Sequence, residues 1–319
     1  MFDTLYLGGG TPSELNANEM VRLFKVLRNH FDFRANTEIT CEVNPGDINK
    51  EKLEVYHNLG INRISLGAQS FNEKLLAEIN RPHGVREIFD TASLLRKLGF
   101  TNISLDLIIR LPDQTLDDVG NALSAAISLD VNQVTVYDLE VHEKTVFGVR
   151  MKQGELKLPT VEEHEQMFDL VESMLTQAGY IHYELLSFAK PGFESKHNLI
   201  YWNNGEYLGF GPGAFSYMNG VRYQFARDVS RYLKKCAAGE LTNDVEDRLT
   251  EEEKETETLI TGLRLKEGVD LNRFRLIRKR IEEHVLPLVK EKLIAHSGSR
   301  IHLTAHGRRV AEKILPELV

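Results

Sequence analysis

The stretch Thr4-Leu-Tyr-Leu-Gly-Gly-Gly-Thr-Pro12 joins a short candidate strand, Thr4–Leu7, directly to three consecutive glycines. Similar β-rich segments recur along the chain and alternate with segments whose apolar residues have helical spacing. The further strand candidates are Thr37–Val43, Asn62–Leu66, Asn102–Ile109, Gln133–Leu139 and His182–Phe188. Regular alternation of this kind predicts an α/β fold of right-handed β-α-β units, with a ligand site at the carboxyl edge of the sheet.

The composition is that of an ordinary globular protein. The 319 residues include 39 basic and 47 acidic side chains, so the formal net charge is −8. This balance argues against a nucleic-acid partner, and no run of 18 apolar residues predicts an integral membrane segment. The amino terminus does not have the pattern of a signal peptide, and the two cysteines, Cys41 and Cys236, are too few for a disulfide framework. We therefore expect a cytoplasmic protein.

Several helix boundaries are marked by local signals. Gly60 and Gly99 each follow the last residue of a helical pattern, where a left-handed residue is needed. Thr160 and Glu163 have the spacing of a capping box and predict a long helix over Val161–Gln177.

The pattern changes after residue 190. A segment rich in glycine, asparagine and aromatic residues is followed by a charged stretch and then by helical patterns around Leu259–Leu265, Leu271–Glu291 and His306–Leu318, with a hairpin signal at Ile294–Ile301. We therefore predict an α/β core over residues 1–190, an irregular segment over 191–245 and a small helical domain of winged-helix type over 246–319.

Four polar residues stand at or just beyond the ends of the candidate strands: Glu42, Gln69, Arg81 and Asp106. A single buried carboxylate is more often a hydrogen-bonded structural group than a ligand-binding one. Four such groups beside the glycine run Gly8–Gly10 indicate a polar small-molecule site, although a tight turn alone would also explain the glycines. Amide groups and Arg81 suit a carboxylate, and the two acids suit amino and hydroxyl groups.

The segment His197-Asn-Leu-Ile-Tyr-Trp202 contains the only tryptophan of the chain. A histidine beside aromatic residues can ligate a haem iron or pack on a porphyrin face. A purely structural histidine is the more frequent alternative.

Taken together, the motifs resemble a known family. Five segments resemble, in order and spacing, the radical S-adenosylmethionine branch of the oxygen-independent coproporphyrinogen III oxidases: Gly8–Pro12, Glu42–Pro45, Ser65–Phe71, Ile79–Arg81 and Asp106–Thr115. Three further segments are similar to the haem chaperone HemW subgroup within that branch: Tyr183–Gly192, His197–Trp202 and Tyr207–Tyr217. The segment Leu249–Val269 resembles the second domain of the family.

The resemblance implies a partial (β/α)6 barrel that binds S-adenosylmethionine and haem. Gly9, Gly10 and Thr11 would then contact the methionine group. The rest of the nucleoside and its carboxylate would be contacted by Glu42, Gln69, Arg81 and Asp106. Haem would be contacted by His197, Asn198, Tyr201 and Trp202. The resemblance also implies a [4Fe–4S] cluster on a C-x-x-x-C-x-x-C motif, haem-receiving respiratory proteins as partners, and a homodimer as one possible assembly.

The chain departs from the family pattern at several points. The cluster motif is absent from the sequence, so we expect the barrel to lack its first β/α unit and to hold no metal ligands for the cluster. Arg110 stands where the family usually has glycine, and Phe215 where it often has histidine. Three functions therefore remain open at this point: a haem chaperone, a coproporphyrinogen III oxidase, or a degenerate, non-catalytic interaction protein.

Overall fold

A computed structural model describes residues 1–240 and 245–318. The chain divides into two compact units, Met1–His197 and Asn198–Val319. Residues 241–244 and 319, which belong to the predicted segments 191–245 and 246–319, lie outside the described residues.

The first unit is built on a seven-stranded sheet of order β1-β2-β3-β4-β5-β7-β6. Its five parallel strands are β1 (Phe2–Leu7), β2 (Phe33–Val43), β3 (Arg63–Gln69), β4 (Asn102–Ile109) and β5 (Gln133–Asp138). Because these strands follow chain order without reversal, right-handed crossovers place their connecting helices on one face of the sheet. The connecting segments contain α1 (Ala17–His30), α2 (Lys50–Asn58), α3 (Glu73–Glu78), α4 (Val85–Lys97) and α5 (Leu116–Ser128). The predicted α/β barrel-type fold is confirmed.

Two further helices, α6 (Val146–Lys152) and α7 (Val161–Gln177), follow β5. The predicted bounds of α7 are confirmed, since Thr160 and Glu163 form a reciprocal capping box at its start. The predicted left-handed glycines are also confirmed: Gly60 has φ +79° and Gly99 has φ +88°.

The two faces of the sheet differ in chemistry. One face, which we call the helix-packed face, carries buried apolar side chains such as Ile64 and Leu105, and these pack against apolar residues of the helices. The opposite face, which we call the inner face, carries Tyr6, Glu42, Ser65, Asp106 and Thr135. Because successive strand residues point to opposite sides, one set of strands builds both a hydrophobic core and a polar surface.

The prediction of a single strand over His182–Phe188 is wrong. Two short strands occupy this region, β6 (Ile181–His182) and β7 (Ser187–Ala189), and β7 runs antiparallel to both β6 and β5. The chain reverses between them because the Tyr183 amide donates to the Ser187 carbonyl and the Ser187 amide donates to the Glu184 carbonyl. A turn replaces the continuous strand that the apolar residues suggested.

The segment from 191 to 240 is more regular than the sequence predicts. It contains α8 (Lys196–Trp202), β8 (Phe215–Met218), β9 (Val221–Gln224) and α9 (Val229–Ala237). The hairpin of β8 and β9 is extended by β10 (Val245–Arg248) into a three-stranded antiparallel sheet. These elements are too short for their periodicity to stand out from the surrounding glycines.

The remainder of the second unit combines helices with a small sheet. Its helices are α10 (Glu251–Gly262), α11 (Arg278–Lys290), α12 (Ala305–Arg309) and α13 (Ala311–Ile314). The sheet contains β11 (Val269–Asp270), β12 (Ile294–Ser297) and β13 (Arg300–Leu303), so the predicted hairpin at Ile294–Ile301 is confirmed.

The prediction of one helix over Leu271–Glu291 is wrong. A 3-10 turn over Leu271–Arg273 comes first, and α11 begins only at Arg278. The Glu255 carboxylate of α10 accepts hydrogen bonds from the amides of the three residues just before α11, Arg275, Leu276 and Ile277. These bonds hold the segment outside the helix. In the part of the chain that the structure describes, the helices are too short or too polar to cross a membrane.

Candidate functional site

A glycine loop, Gly8–Gly10, follows β1 at the carboxyl edge of the sheet. A Cβ atom at Gly8 would lie 2.7 Å from the Tyr6 ring and 2.8 Å from Glu42 Oε1, so a side chain there would displace one of these two groups. Gly9 has φ +104°, and a Cβ atom on Gly9 or Gly10 would meet no described atom within 4 Å. The loop is therefore packed against the sheet at its first residue and open beside the next two. Thr11 follows at the start of a 3-10 turn over Pro12–Glu14.

Glu42 lies on the inner face of β2 and is held by Tyr6 of β1. The Tyr6 hydroxyl donates a hydrogen bond of 2.8 Å to Glu42 Oε1. Burial, followed by the charges of Glu42 and Asp106, raises the pKa of Tyr6 above its usual value. The phenol therefore keeps its proton and acts as a permanent donor that orients the Glu42 carboxylate.

Asp106 lies on the inner face of β4, diagonally across from Ser65 of β3, which is paired with Ser104 in the strand register. The Ser65 hydroxyl is 3.0 Å from Asp106 Oδ2 and 3.2 Å from Oδ1. Burial raises the pKa of Asp106 to about 6, and the Glu42 charge acts in the same direction. The hydrogen bond from Ser65 and the positive charge of Arg63 oppose this rise. Asp106 is therefore mostly ionised at pH 7 and protonated in mild acid.

Gln69 and Arg81 add a polar oxygen and a cation. Gln69 ends β3 with φ +67°, and its buried Oε1 has no hydrogen-bond partner among the described residues. Arg81 follows α3, and burial lowers the pKa of its guanidinium, which still remains charged. No carboxylate oxygen in residues 1–240 or 245–318 lies within 4 Å of it. Both groups can therefore bind a polar ligand without breaking an existing ion pair.

The histidine of the aromatic motif lies against the first two strands of the sheet. His197 Nδ1 is 2.8 Å from Thr4 Oγ1, and the imidazole stacks on the Tyr6 ring at 4.9 Å between centroids. The Glu38 carboxylate accepts hydrogen bonds from the amides of Lys196 and His197 in the first turn of α8. Burial lowers the pKa of His197 to about 4, so the imidazole is neutral at pH 7.

The other three residues of that motif belong to the second unit. Tyr201 packs edge-on against Tyr207 with ring centroids 4.7 Å apart. The Arg264 guanidinium lies 4.4 Å above the ring of Trp202, whose indole Nε1 is buried with no hydrogen-bond partner in the described residues. Asn198 is the first residue of this unit. The candidate haem residues are thus divided, with His197 in the first unit and Asn198, Tyr201 and Trp202 in the second.

Four inner-face residues around the two carboxyl groups are not among the predicted site residues: Tyr6, Arg63, Ser65 and Tyr137. Tyr137 is 42% exposed as a whole, but desolvation of its hydroxyl raises its pKa, and the charges of Asp106 and Glu42 raise it further. The sequence does contain a signal for them, since polar residues alternate along two of the strands. Thr4 and Tyr6 share one face of β1, and Arg63 and Ser65 share one face of β3. This alternation of polar residues predicts inner-face positions in the same way that the alternation of apolar residues predicts core positions.

The similarity to known proteins extends over nearly the whole chain. The model of the Radical SAM superfamily matches residues 2–126, and that of the HemN C-terminal domain matches residues 249–310. The haem chaperone HemW of Lactococcus lactis is 36% identical over 99% of this chain and 84% of its own length. The haem chaperone HemW of Bacillus subtilis is 36% identical over 98% of this chain and 84% of its own length.

The chain belongs to the HemW family.

The fold of this HemW-family chain also matches a solved structure. Coproporphyrinogen III oxidase (HemN) from Escherichia coli, described as a radical SAM enzyme, aligns with a TM-score of 0.86 at 25% identity. The alignment covers 99% of this chain and 77% of HemN. The radical SAM fold implies S-adenosylmethionine and a [4Fe–4S] cluster as cofactors.

The cysteines of this HemW-family chain do not fit such a cluster. Burial raises the pKa of the Cys41 thiol to about 12, which disfavours the thiolate that iron requires. Cys236 is exposed on α9 in the second unit. No group of three or more His, Cys, Asp or Glu side chains that could hold a metal ion occurs among the described residues.

Arg110, which stands where the family usually has glycine, has a backbone conformation that favours glycine. Arg110 follows β4 with φ +63°, a left-handed conformation that glycine adopts more readily than any other residue. The backbone of this HemW-family chain therefore keeps a glycine-type turn at a position where the side chain is arginine.

Proposed function

We propose that this chain binds S-adenosylmethionine in its first unit, binds haem through the His197 motif and passes the haem to haem-requiring proteins. The observation that carries the proposal is the match, over 99% of the chain, to a protein named as a haem chaperone. The geometry of the first unit supports it, because polar groups suited to a zwitterionic nucleoside surround an open glycine loop.

Each group of the nucleoside site has a role that follows from its chemistry. The amides beside Gly9 and Gly10 approach the methionine group, because the space next to them is open. The Arg81 guanidinium pairs with the ligand carboxylate, and Gln69 Oε1 accepts from an N–H or O–H group. Glu42 and Asp106 accept hydrogen bonds from hydroxyl or amino groups. S-adenosylmethionine supplies a sulfonium centre, which two nearby carboxylates also favour electrostatically.

Haem is the proposed cargo of this chain. Haem iron takes a neutral imidazole as an axial ligand, and the pKa of about 4 keeps His197 neutral at physiological pH. The contact between His197 Nδ1 and Thr4 Oγ1 holds the ring in one orientation, as groups behind a metal-binding histidine commonly do.

Haem titration tests the cargo. We expect the wild-type chain to develop a Soret band at stoichiometric haem, and His197→Ala to lose most of it. His142→Ala is the matched control, because His142 is 74% exposed and pairs with Glu140 at the surface. A Soret band in His197→Ala equal to that of the wild type and of the control would show that His197 does not bind haem.

Calorimetric titration with S-adenosylmethionine tests the nucleoside site. We expect Glu42→Gln to weaken binding by about tenfold or more, since hydrogen bonds to charged groups contribute about 1.5–3 kcal/mol. Asp90→Asn is the matched control, because the Asp90 side chain is 71% exposed on α4. Equal affinities of the two variants would show that the ligand binds elsewhere.

A porphyrinogen oxidase is the second candidate function, favoured by the structural match to HemN. It differs from the chaperone in requiring oxidative decarboxylation of coproporphyrinogen III. Anaerobic assays with S-adenosylmethionine, a reductant and an electron acceptor distinguish the two, because an oxidase releases carbon dioxide from coproporphyrinogen III whereas a chaperone leaves the propionate side chains intact.

Three further parts of the proposal concern the setting of the protein. We propose haem-requiring respiratory proteins as recipients, the cytoplasm as the location and a homodimer as the assembly. Haem transfer to an apo-cytochrome in a mixed assay tests the first, fractionation of the source cells tests the second, and light scattering coupled to size-exclusion chromatography tests the third.

A further inference from the structure

Arg63 is a buried cation on the inner face and has no role in the nucleoside site as described so far. It is the first residue of β3, the largest of the fully buried side chains, and only 2% exposed. Its Nη2 donates a 3.0 Å hydrogen bond to Gln133 Oε1, a neutral amide oxygen, and its Nε is buried with no hydrogen-bond partner among the described residues. Throughout the described ranges, no carboxylate oxygen approaches the guanidinium within 4 Å. A charge buried in this way is costly unless another charge compensates for it.

The guanidinium is connected to Asp106 from two sides. On β3, Arg63 and Ser65 share the inner face, and Ser65 donates to the Asp106 carboxylate. On β5, the Gln133 amide that receives Arg63 also donates to Thr135 Oγ1 at 3.1 Å, and Thr135 is aligned with Asp106 in the strand register. Arg63 is therefore held by the same two strands that flank Asp106.

The groups around Asp106 are mostly acidic or neutral. Glu42 faces it from β2 and Tyr6 from β1, Tyr137 and Thr135 face it from β5, and Ser65 faces it from its own neighbour β3. Among the charged groups that act on Asp106, Arg63 is the cation and Glu42 is the anion. Removing Arg63 would leave two acids facing each other in a buried interior.

We propose that Arg63 is a positioning residue of the nucleoside site, a fixed counter-charge that keeps Asp106 ionised and ready to accept hydrogen bonds from a hydroxyl or amino group of the ligand. The identity of the ligand rests on the proposed function, but the electrostatic role of Arg63 does not. The two carboxyl groups bind the ligand directly, whereas Arg63 acts through Asp106 without contacting the ligand.

The ionisation of Asp106 can be measured without any ligand. The protein is labelled with ¹³C at the aspartate carboxyl carbon, and the Asp106 resonance is assigned from its loss in Asp106→Asn. We expect a midpoint near pH 6 in the wild type and a rise of about one pH unit or more in Arg63→Met. Arg63→Lys should restore most of the wild-type midpoint, because it retains the charge. An unchanged midpoint in Arg63→Met would overturn the proposal.

Arg96→Met is the matched control. Arg96 is a partly buried arginine of α4 that donates to the backbone carbonyls of Phe100 and Asp130, and its removal should leave the Asp106 midpoint unchanged. If Arg63→Met does not fold, the Asp106 midpoint is measured in Gln133→Leu instead. This variant keeps the Arg63 charge and removes the amide oxygen that accepts its hydrogen bond. An upward shift of the Asp106 midpoint that is smaller than the one expected for Arg63→Met supports the proposal, and an unchanged midpoint overturns it.

A pH series of S-adenosylmethionine binding links Arg63 to the ligand. For a one-unit rise in the Asp106 midpoint, Arg63→Met should bind about fivefold more weakly than the wild type at pH 6 and equally at pH 8.5. A purely structural role would give the same deficit at both pH values. If the wild type itself does not bind S-adenosylmethionine, the proposed function fails, while the carboxyl titration still decides the role of Arg63.

Discussion

On β4, Leu105 points into the helix-packed face, whereas its neighbours Ser104 and Asp106 point to the inner face. Leu105 is fully buried among apolar side chains of the first unit. Ser104 is equally buried, yet its hydroxyl has no hydrogen-bond partner among the described residues. Leu105 and Ser104, which are adjacent on one strand, are thus equally buried, although one side chain is apolar and the other is polar.

The comparison shows that burial has two different consequences in this molecule. On the helix-packed face, burial of apolar side chains stabilises the fold. On the inner face, burial raises the pKa of Asp106 and Tyr6, and the buried hydroxyl of Ser104 has no hydrogen-bond partner among the described residues. Such groups cost stability in the free protein, and they become useful when a polar ligand satisfies them.

Truncating one side chain on each face gives the largest expected contrast. Leu105→Ala should lower the free energy of unfolding by about 2–5 kcal/mol, because it leaves a cavity in a packed core. Ser104→Ala removes only a hydroxyl that has no hydrogen-bond partner in the described part of the chain, so we expect a change within about 1 kcal/mol or a slight gain. Urea unfolding of both variants measures the difference. Equal losses would show that the two faces contribute alike to stability.

Asp106→Asn should make the protein more stable in a pH-dependent way. The pKa of Asp106 is raised from 3.8 to about 6 in the folded state, so the unfolded chain releases this proton more easily. Wild-type stability therefore falls as the pH rises from about 4 to 6, by up to about 3 kcal/mol. The variant lacks this penalty, so its gain should be complete above pH 6 and absent near pH 4. A gain that is the same at both pH values would contradict the titration.

Tyr6→Phe tests the hydrogen bond that orients Glu42 while retaining the ring that stacks on His197. We expect the free energy of unfolding to fall by about 1–2 kcal/mol, since a partly buried carboxylate loses its donor. Tyr180→Phe is the control on the other side of the sheet, because the Tyr180 hydroxyl donates to the neutral carbonyl of Val131 at 2.6 Å. Only Tyr6→Phe should also weaken S-adenosylmethionine binding, which calorimetry would measure.

Arg110→Gly should have the smallest effect and a stabilising one. Glycine adopts the left-handed conformation of residue 110 without steric strain, so we expect a gain of about 0.5–1 kcal/mol. Arg34→Gly makes the same replacement in β2, where the backbone is extended, and should lower stability by a similar amount. Thermal unfolding of the two variants should shift in opposite directions. A loss in Arg110→Gly would mean that the arginine side chain itself stabilises the turn.

Much of the first unit could be predicted because its signals are local. Strands β1 to β5 appear as short β-rich runs, and α7 begins at a capping box contained within four residues. The antiparallel pair β6 and β7 could not be predicted, since its reversal depends on backbone hydrogen bonds within 183–187 that no side-chain pattern reveals. The delayed start of α11 depends on Glu255, more than twenty residues earlier in the chain.

The candidate site shows the same division. Its motif residues Glu42, Gln69, Arg81 and Asp106 stand out as polar residues at strand ends, and their resemblance to a family is visible in the sequence alone. The partners that tune them do not stand out. Ser65 begins the motif Ser65–Phe71 but is not predicted there as a ligand-binding residue, and Arg63 lies just before that motif. Their effect on Asp106 arises only when β3 and β4 lie side by side.

By itself, the sequence determined the alternation of strands and helices, the helix caps and the family, because these depend on residue types at short spacing. The tertiary structure alone decided that His197 lies against Thr4 and Tyr6, nearly two hundred residues away. It also decided that Arg63 is buried without a carboxylate partner in the described residues. Both outcomes depend on which strands become neighbours in the sheet. That choice is made by the packing of the whole first unit, since the free energy of a buried charge is set by groups distant in sequence.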